Sequence, residues 1–265
     1  MRVLNICNLK GGVGKTITTV NLAYVLAKVH KKRVLVIDND KQGNTSKFFG
    51  VHSYEHPSVA ELMRGARAVK EVIRQTIFDG IDCIPANMTL LAANKAVLMD
   101  TMHPQQTRLK TAIAPLADAY DYCIIDNAPD ENMSVINALA AGNDAIIPVK
   151  VDQFTFDGVD EMIECIAQVR ENFNGRLTFR GCVITSYRGN DVNKQGEQYL
   201  KDYEAYRLMK THISWTAKVD ESTFAALPIM EHSPRCWAAR DYKNLAREYL
   251  AMVGDLPDES RERQG

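Results

Sequence analysis

The string Lys10-Gly11-Gly12-Val13-Gly14-Lys15-Thr16 has the residue types and spacing to hold a polyphosphate. Glycines let backbone N–H groups converge on phosphate oxygens, because no Cβ blocks the approach. An ammonium at Lys15 suits the β- and γ-phosphates, and a hydroxyl at Thr16 suits Mg²⁺. The usual pattern is G-x-x-x-x-G-K-[ST]. Leu9 stands at its first glycine position, so the loop is a deviant one. Three aspartates close apolar runs elsewhere: Asp38 and Asp40 in VIDND, and Asp126 in CIID. Carboxylates at strand ends can hold a divalent cation or orient an attacking water. They also serve as ordinary turn and cap residues, so only one of Asp38 and Asp40 need be chemical.

Something must bring these residues together. Short apolar runs at Val3–Cys7, Arg33–Asp38, Ile81–Pro85, Tyr122–Asp126, Ala145–Val149 and Gly181–Thr185 show no strict polar alternation. Strands buried on both faces read this way, which predicts a parallel sheet covered by helices. Helical patterns fall at Thr16–His30, Ser58–Met63, Ala68–Thr76, Leu90–Asp100, Pro104–Ala119, Asn132–Ala141, Asp157–Phe173, Lys194–Lys210 and Arg235–Val253. The alternation predicts one doubly wound α/β domain over 1–254, with a polar, disordered tail at 255–265. The glycine string then lies between the first strand and the first helix, whose N-terminus adds its positive dipole end. The basic cluster His30–Arg33 reads as cations closing that helix in preference to a nucleic-acid patch.

Composition narrows the classes. The chain has 265 residues, 46% hydrophobic and 25% charged, with 32 Lys+Arg against 33 Asp+Glu. These values exclude a mainly disordered chain, a collagen and a coiled-coil rod. A net charge of -1 excludes bulk attraction to nucleic acid, but charge is uneven. Between Arg176 and Lys218 eight basic residues face four acidic ones. Such a patch, doubled in a dimer, would give salt-sensitive and sequence-independent DNA binding; its alternative is a solvated helix face. The six cysteines form no C-x-x-C pair and read as reduced, buried apolar residues, which disfavours an iron–sulfur carrier. No G-x-S-x-G nucleophile motif occurs. With no signal-peptide core and no run near the ~18 apolar residues of a membrane span, the expected location is the cytoplasm.

Lys10, five residues before Lys15, resembles the signature lysine of the deviant Walker A ATPases, the ParA/MinD family. RVLVIDNDKQGN (33–44) resembles that family's D-x-D-P-Q-G-N motif, and YDYCIIDNAPD (120–130) its Walker B segment. INALAAGNDAIIPV and ISWTAKVDESTFAALPIMEHSPR resemble its C-terminal half. The likeness runs from about Arg2 to Val253 and is greatest to the short ParA/Soj partition ATPases, which lack an N-terminal DNA-binding extension.

This resemblance implies ATP and Mg²⁺ as cofactors and an ATP-dependent sandwich homodimer. ATP would be held by Lys10, Gly11, Gly12, Val13, Gly14, Lys15, Thr16 and Ile17, and the metal by Thr16, Asp38 and Asp126. Lys10 would reach the partner's nucleotide, Lys15 would neutralise charge, and Asp40 would activate water. Adenine contacts would come from Ser186–Arg188 and Ile213–Trp215. DNA would meet Arg188, Lys210 and Lys218, and a ParB-like adaptor would stimulate hydrolysis and release. The alternative is a ParA-like ATP switch that positions a non-DNA cargo with little hydrolysis. No membrane partner is expected, because the tail lacks the amphipathic helix of MinD-type proteins. Three departures bear on turnover, which is expected to be slow: Lys41 replaces the usual Pro, Asn127-Ala128 the usual Thr-Pro, and Ile17 a common second Thr.

Overall fold

The structure, a computed structural model, describes residues 1–151 and 155–256, and of 155–157 the backbone alone. The expected tail therefore lies outside the described residues from 257 onward.

In chain order the elements are β1 (Arg2–Ile6), α1 (Lys15–Lys28), β2 (Val34–Asn39), α2 (Asn44–Phe48), α3 (Val59–Met63), α4 (Val69–Val72), β3 (Arg74–Gln75) and β4 (Ile81–Ile84). Next come α5 (Thr89–Met99), α6 (Arg108–Ile113), β5 (Tyr122–Asn127), α7 (Met133–Ala141), β6 (Asp144–Lys150) and α8 (Thr155–Asn172). The last are β7 (Thr178–Thr185), α9 (Asp191–Asp202), α10 (Ala217–Phe224), α11 (Ile229–His232) and α12 (Trp237–Met252). The strands form one sheet in the order β3-β4-β2-β5-β1-β6-β7, parallel throughout except for β3 against β4. The chain runs outward from β1 to β4, returns to insert β5 between β1 and β2, and continues beyond β1 with β6 and β7. The loop after β1 thus falls where the path reverses, the crevice in which open α/β sheets hold ligands.

Both faces of the sheet are buried, which is why its strands read as unbroken apolar runs. Leu4, Ile6, Val36 and Ile124 pack with α1 and α12 on one face. Val3, Leu35, Ile37 and Ile125 pack with α3, α5, α6 and α7 on the other. Burying one such side chain contributes about 1.5–3 kcal/mol, so a charge at Val36 or Ile125 would undo the core. Register sets the site: β2 and β5 place Asp38 beside Asp126 and Asn39 beside Asn127, at the ends nearest the glycine loop.

Several predicted elements are revised. The helix expected over Ala68–Thr76 stops at Val72, where Ile73 turns extended and Arg74–Gln75 pair antiparallel with β4. The helix expected over Pro104–Ala119 is α6 plus a single 3-10 turn, Ala114–Leu116, because Pro115 has no N–H to continue the ladder. The helix expected over Lys194–Lys210 starts earlier, under the Asn190 cap, and ends at Asp202. Lys210 instead lies on an extended stretch beside β7, where Met209 N–H donates to the Cys182 carbonyl (2.9 Å) and Ile213 N–H to that of Ile184 (2.8 Å). That approach needs Gly181: a Cβ there would meet the Arg207 carbonyl oxygen at 1.9 Å. Helices α2, α10 and α11 are too short or too irregular in pattern to have been predicted. No helix among the described residues is long and apolar enough to cross a membrane.

Candidate functional site

Residues 7–14 wrap from β1 into α1. Gly12 and Gly14 take left-handed φ values of 73° and 87°, where side chains are strained. Thr185 at the end of β7 steadies the loop through its hydroxyl, which donates to the Val13 carbonyl at 2.8 Å. Asn8 ties it to the neighbouring β6, accepting from Lys10 N–H and donating to the Pro148 carbonyl, both at 2.8 Å. Lys15 is buried and bends back into the loop, donating to the carbonyls of Asn8 (2.9 Å) and Lys10 (2.8 Å). Burial lowers the pKa of its ammonium. A phosphate there would replace two neutral acceptors with charged ones, the stronger partners for an ammonium. Lys10 is half-buried, with its backbone and Cβ beside Gly158 of α8. Ile17 has no hydroxyl to offer and packs against the core.

The carboxylates converge on Thr16. Asp126 Oδ2 accepts from the hydroxyls of Thr16 (2.7 Å) and Thr45 (2.6 Å), while its buried Oδ1 has no donor among the described residues. Asp38 accepts from Ser46 N–H (2.7 Å), Ser46 Oγ (2.6 Å) and Asp40 N–H (3.1 Å). Burial pushes Asp126 up to about 6; burial, and then the neighbouring Asp126, push Asp38 up to about 7. A hard divalent cation takes oxygen ligands, and Thr16, Asp126 and Asp38 supply them with one acceptor unfilled, so the residues fit the metal. Asp40 is half-buried at the mouth, its carboxylate accepting from Gln42 N–H at 2.9 Å.

The site includes residues that the motifs did not point to. Thr45 and Ser46 act through Asp126 and Asp38, and their only sequence signal is their place just after the Q-G-N turn. Asn127 is no loose substitute for threonine. Its Nδ2 donates to Asn5 Oδ1 at 3.1 Å, and its Oδ1 accepts from Asn39 Nδ2 at 2.9 Å. Three strand ends are tied by this amide chain. Lys41, another departure, pairs with Asp130 at 2.9 Å and so joins the loops after β2 and β5.

Just past Thr185, Ser186–Arg188 and Ile213–Trp215 come together. Tyr187 and Ser214 form a bridge, and the Arg188 guanidinium stacks over Trp215 at 4.2 Å. Arg188, Lys210 and Lys218 are all exposed, but Lys218 is paired with Glu221 at 2.7 Å. Within the basic stretch Lys201 is paired with Glu197 at 2.6 Å. Arg180 turns toward the opposite end of the sheet, to Asp144 at 2.6 Å. All six cysteines are free thiols, five of them buried.

Fold and loop together define a P-loop nucleotide-binding protein. The AAA domain family matches residues 1–179. Soj, the sporulation initiation inhibitor protein of Bacillus subtilis, is 31% identical over 94% of this chain and 98% of its own. The chromosome partitioning protein ParA of Caulobacter vibrioides is 30% identical over 96% of both chains. A cobyrinic acid a,c-diamide synthase from Mycobacterium smegmatis, solved with a bound ATP analog and magnesium, superposes with a TM-score of 0.84 at 26% identity, over 96% of each chain. The chain belongs to the ParA/Soj family of partition ATPases.

Proposed function

We propose that this protein is a Mg²⁺-dependent ATPase that switches a homodimer on and off DNA. The observation that carries the reading is the meeting of Lys15, Thr16, Asp126 and Asp38 beside one loop, with a buried carboxylate oxygen left without a donor among the described residues. The backbone of residues 10–17 cradles the phosphates, and Lys15 exchanges its two carbonyl partners for phosphate oxygens. Thr16, Asp126 and Asp38 hold the metal. Bound Mg²⁺ supplies charge neutralisation for the transferring phosphoryl group. Asp40 orients the attacking water, and Lys10 completes the site of the partner subunit. The Arg188–Trp215 stack flanks the adenine.

The ATP-bound dimer binds DNA without sequence preference through Arg188, Lys210 and Lys218 and sits on the nucleoid. A ParB-like adaptor stimulates hydrolysis, which releases it. One observation favours the second reading, a switch that positions a non-DNA cargo: ion pairs already occupy Arg180, Lys201 and Lys218 and thin the basic patch. DNA binding across a salt series with ATP, ADP and no nucleotide separates the two. ATP-specific binding with a steep salt slope supports the DNA switch, and equal binding in all three states rejects it. Lys10→Ala should abolish both hydrolysis and ATP-dependent dimerisation; retention of both would remove Lys10 from the site.

A further inference from the structure

Two hydroxyls converge on one oxygen of Asp126, and they come from different elements. Thr16, at the start of α1, donates to Oδ2 at 2.7 Å, and Thr45, in the first turn of α2, donates to the same atom at 2.6 Å. A carboxylate oxygen has two lone pairs, so Oδ2 is filled. Oδ1 is buried and has no donor among the described residues. The division matters because the terminal torsion of an aspartate is broad and roughly two-fold. A single hydroxyl would leave the group free to turn and offer either oxygen to it. Two donors from separate helices fix the plane and keep Oδ1 as the open acceptor.

Thr16 belongs to the set that would hold the metal, whereas Thr45 stands outside it and is itself held by packing. Thr45 is fully buried. The next residue, Ser46, donates through Oγ to Asp38 Oδ2 at 2.6 Å and accepts from Ala86 N–H at 2.8 Å, which ties α2 to β2 and to the loop after β4. The preceding turn is as constrained: Gly43 has a φ of 66°, and a Cβ there would meet the Ala86 carbonyl oxygen at 2.7 Å. Phe48 and Phe49 seal the far end of α2 into the core. A donor fixed by the fold in this way preorganises the ligand it touches.

We propose that Thr45 is a positioning residue for the metal site, orienting Asp126 so that Oδ1 stays open to the cation. The inference rests on the reading of Thr16, Asp126 and Asp38 as the Mg²⁺ set, and needs neither DNA nor a partner subunit.

The test separates the hydroxyl from the methyl. Thr45→Val keeps the shape and removes the donor; Thr45→Ser keeps the donor and removes the methyl. The full chain, saturated with a non-hydrolysable ATP analogue, is titrated with Mg²⁺ while the rise in Tm is followed. Affinity for the analogue is measured separately in EDTA. Thr45→Val should move the Mg²⁺ midpoint about 10- to 100-fold higher, the usual effect of losing a hydrogen-bond partner of a metal-ligating carboxylate, and Thr45→Ser should move it less than about threefold. Both variants should bind the analogue in EDTA as the wild type does. An unchanged midpoint in Thr45→Val, against a wild type that responds to Mg²⁺, overturns the role of Thr45 and leaves the metal set standing. Equal shifts in the two variants would assign the effect to packing and overturn it too. So would a Thr45→Val protein that binds no analogue in EDTA, since Thr45 would then serve the fold. A wild type without any response to Mg²⁺ overturns the metal set and the proposal together.

Discussion

Asp144, at the start of β6, and Asp126, at the end of β5, are both buried acids at the rim of the same sheet, but their surroundings are opposite. Asp144 meets two guanidinium groups: Arg2, through Nε and again through Nη2 at 3.1 Å, and Arg180 at 2.6 Å. It also accepts from Tyr249 Oη at 2.9 Å. Every donor it needs comes from the chain itself. Asp126 has hydroxyls on one oxygen and, among the described residues, nothing on the other and no guanidinium or ammonium bonded to it. The first arrangement is finished and holds β1, β6, β7 and α12 together. The second leaves one buried acceptor open, as the proposed cation site requires. Burial is common to both acids; the state of their lone pairs is what sets them apart.

The comparison can be broken most forcefully at Lys15. Lys15→Ala should lower kcat about 10²–10³-fold, the scale for removing one preorganised charge from a transition state. Stability should change little, because the ammonium satisfies only loop carbonyls. Steady-state phosphate release checks this, and near-normal turnover would take the phosphate loop out of the chemistry. At the other end, Asp144→Ala should cost about 3 kcal/mol in urea unfolding, since it strands two arginines at a buried hub. That loss should be the same with and without Mg²⁺ and ATP.

Asp126→Asn should go the opposite way. At neutral pH the metal-free protein should gain about 1–2 kcal/mol, because a charge whose burial outweighs the attraction of Lys15 is removed, while stabilisation by Mg²⁺ and ATP should disappear. The sign with pH follows from the same shifts. Asp126 and Asp38 lie near 6 and 7 in the folded chain, against an ordinary value near 4 once unfolded. Below about 4 both states hold these protons and the contribution is complete. Between about 4 and 7 the unfolded chain releases protons that the folded chain retains, so stability falls as pH rises. Thermal melts of metal-free protein across this window should show the decline, and Asp126→Asn should flatten it. A wild-type curve already flat would mean that the carboxylates are better satisfied than their contacts indicate.

These contrasts also mark how far the sequence could be read. The phosphate loop, six of the seven strands and the three aspartates were legible, because each rests on local spacing or on a run of apolar residues. Thr45, Ser46 and the Asn5–Asn127–Asn39 chain were not, because their partners are set by the register of β1, β5 and β2 and by where α2 begins. The edge strand β3 and the stretch beside β7 that carries Lys210 lack periodicity of either kind. Asp144 was invisible for the same reason. Its partners Arg2, Arg180 and Tyr249 are scattered along the chain, and in the sequence Arg180 counted toward a basic patch with no sign of its pairing with Asp144.

The smallest effect sharpens the comparison from the outside. Lys41 and Asp130 join the loops after β2 and β5, with side chains 33% and 43% exposed. Water competes for both, so the pair is worth about 0.5 kcal/mol and should weaken further in high salt. Lys41→Ala should therefore shift Tm by only a degree or two and change kcat less than about threefold. The pair stands where the family usually has a proline, yet it touches none of the oxygens around Thr16. A tenfold loss in kcat with Tm unchanged would mean that the loops must be held together for Asp40 to meet its water, and Lys41 would then belong with the unfinished end of the sheet as a positioning residue.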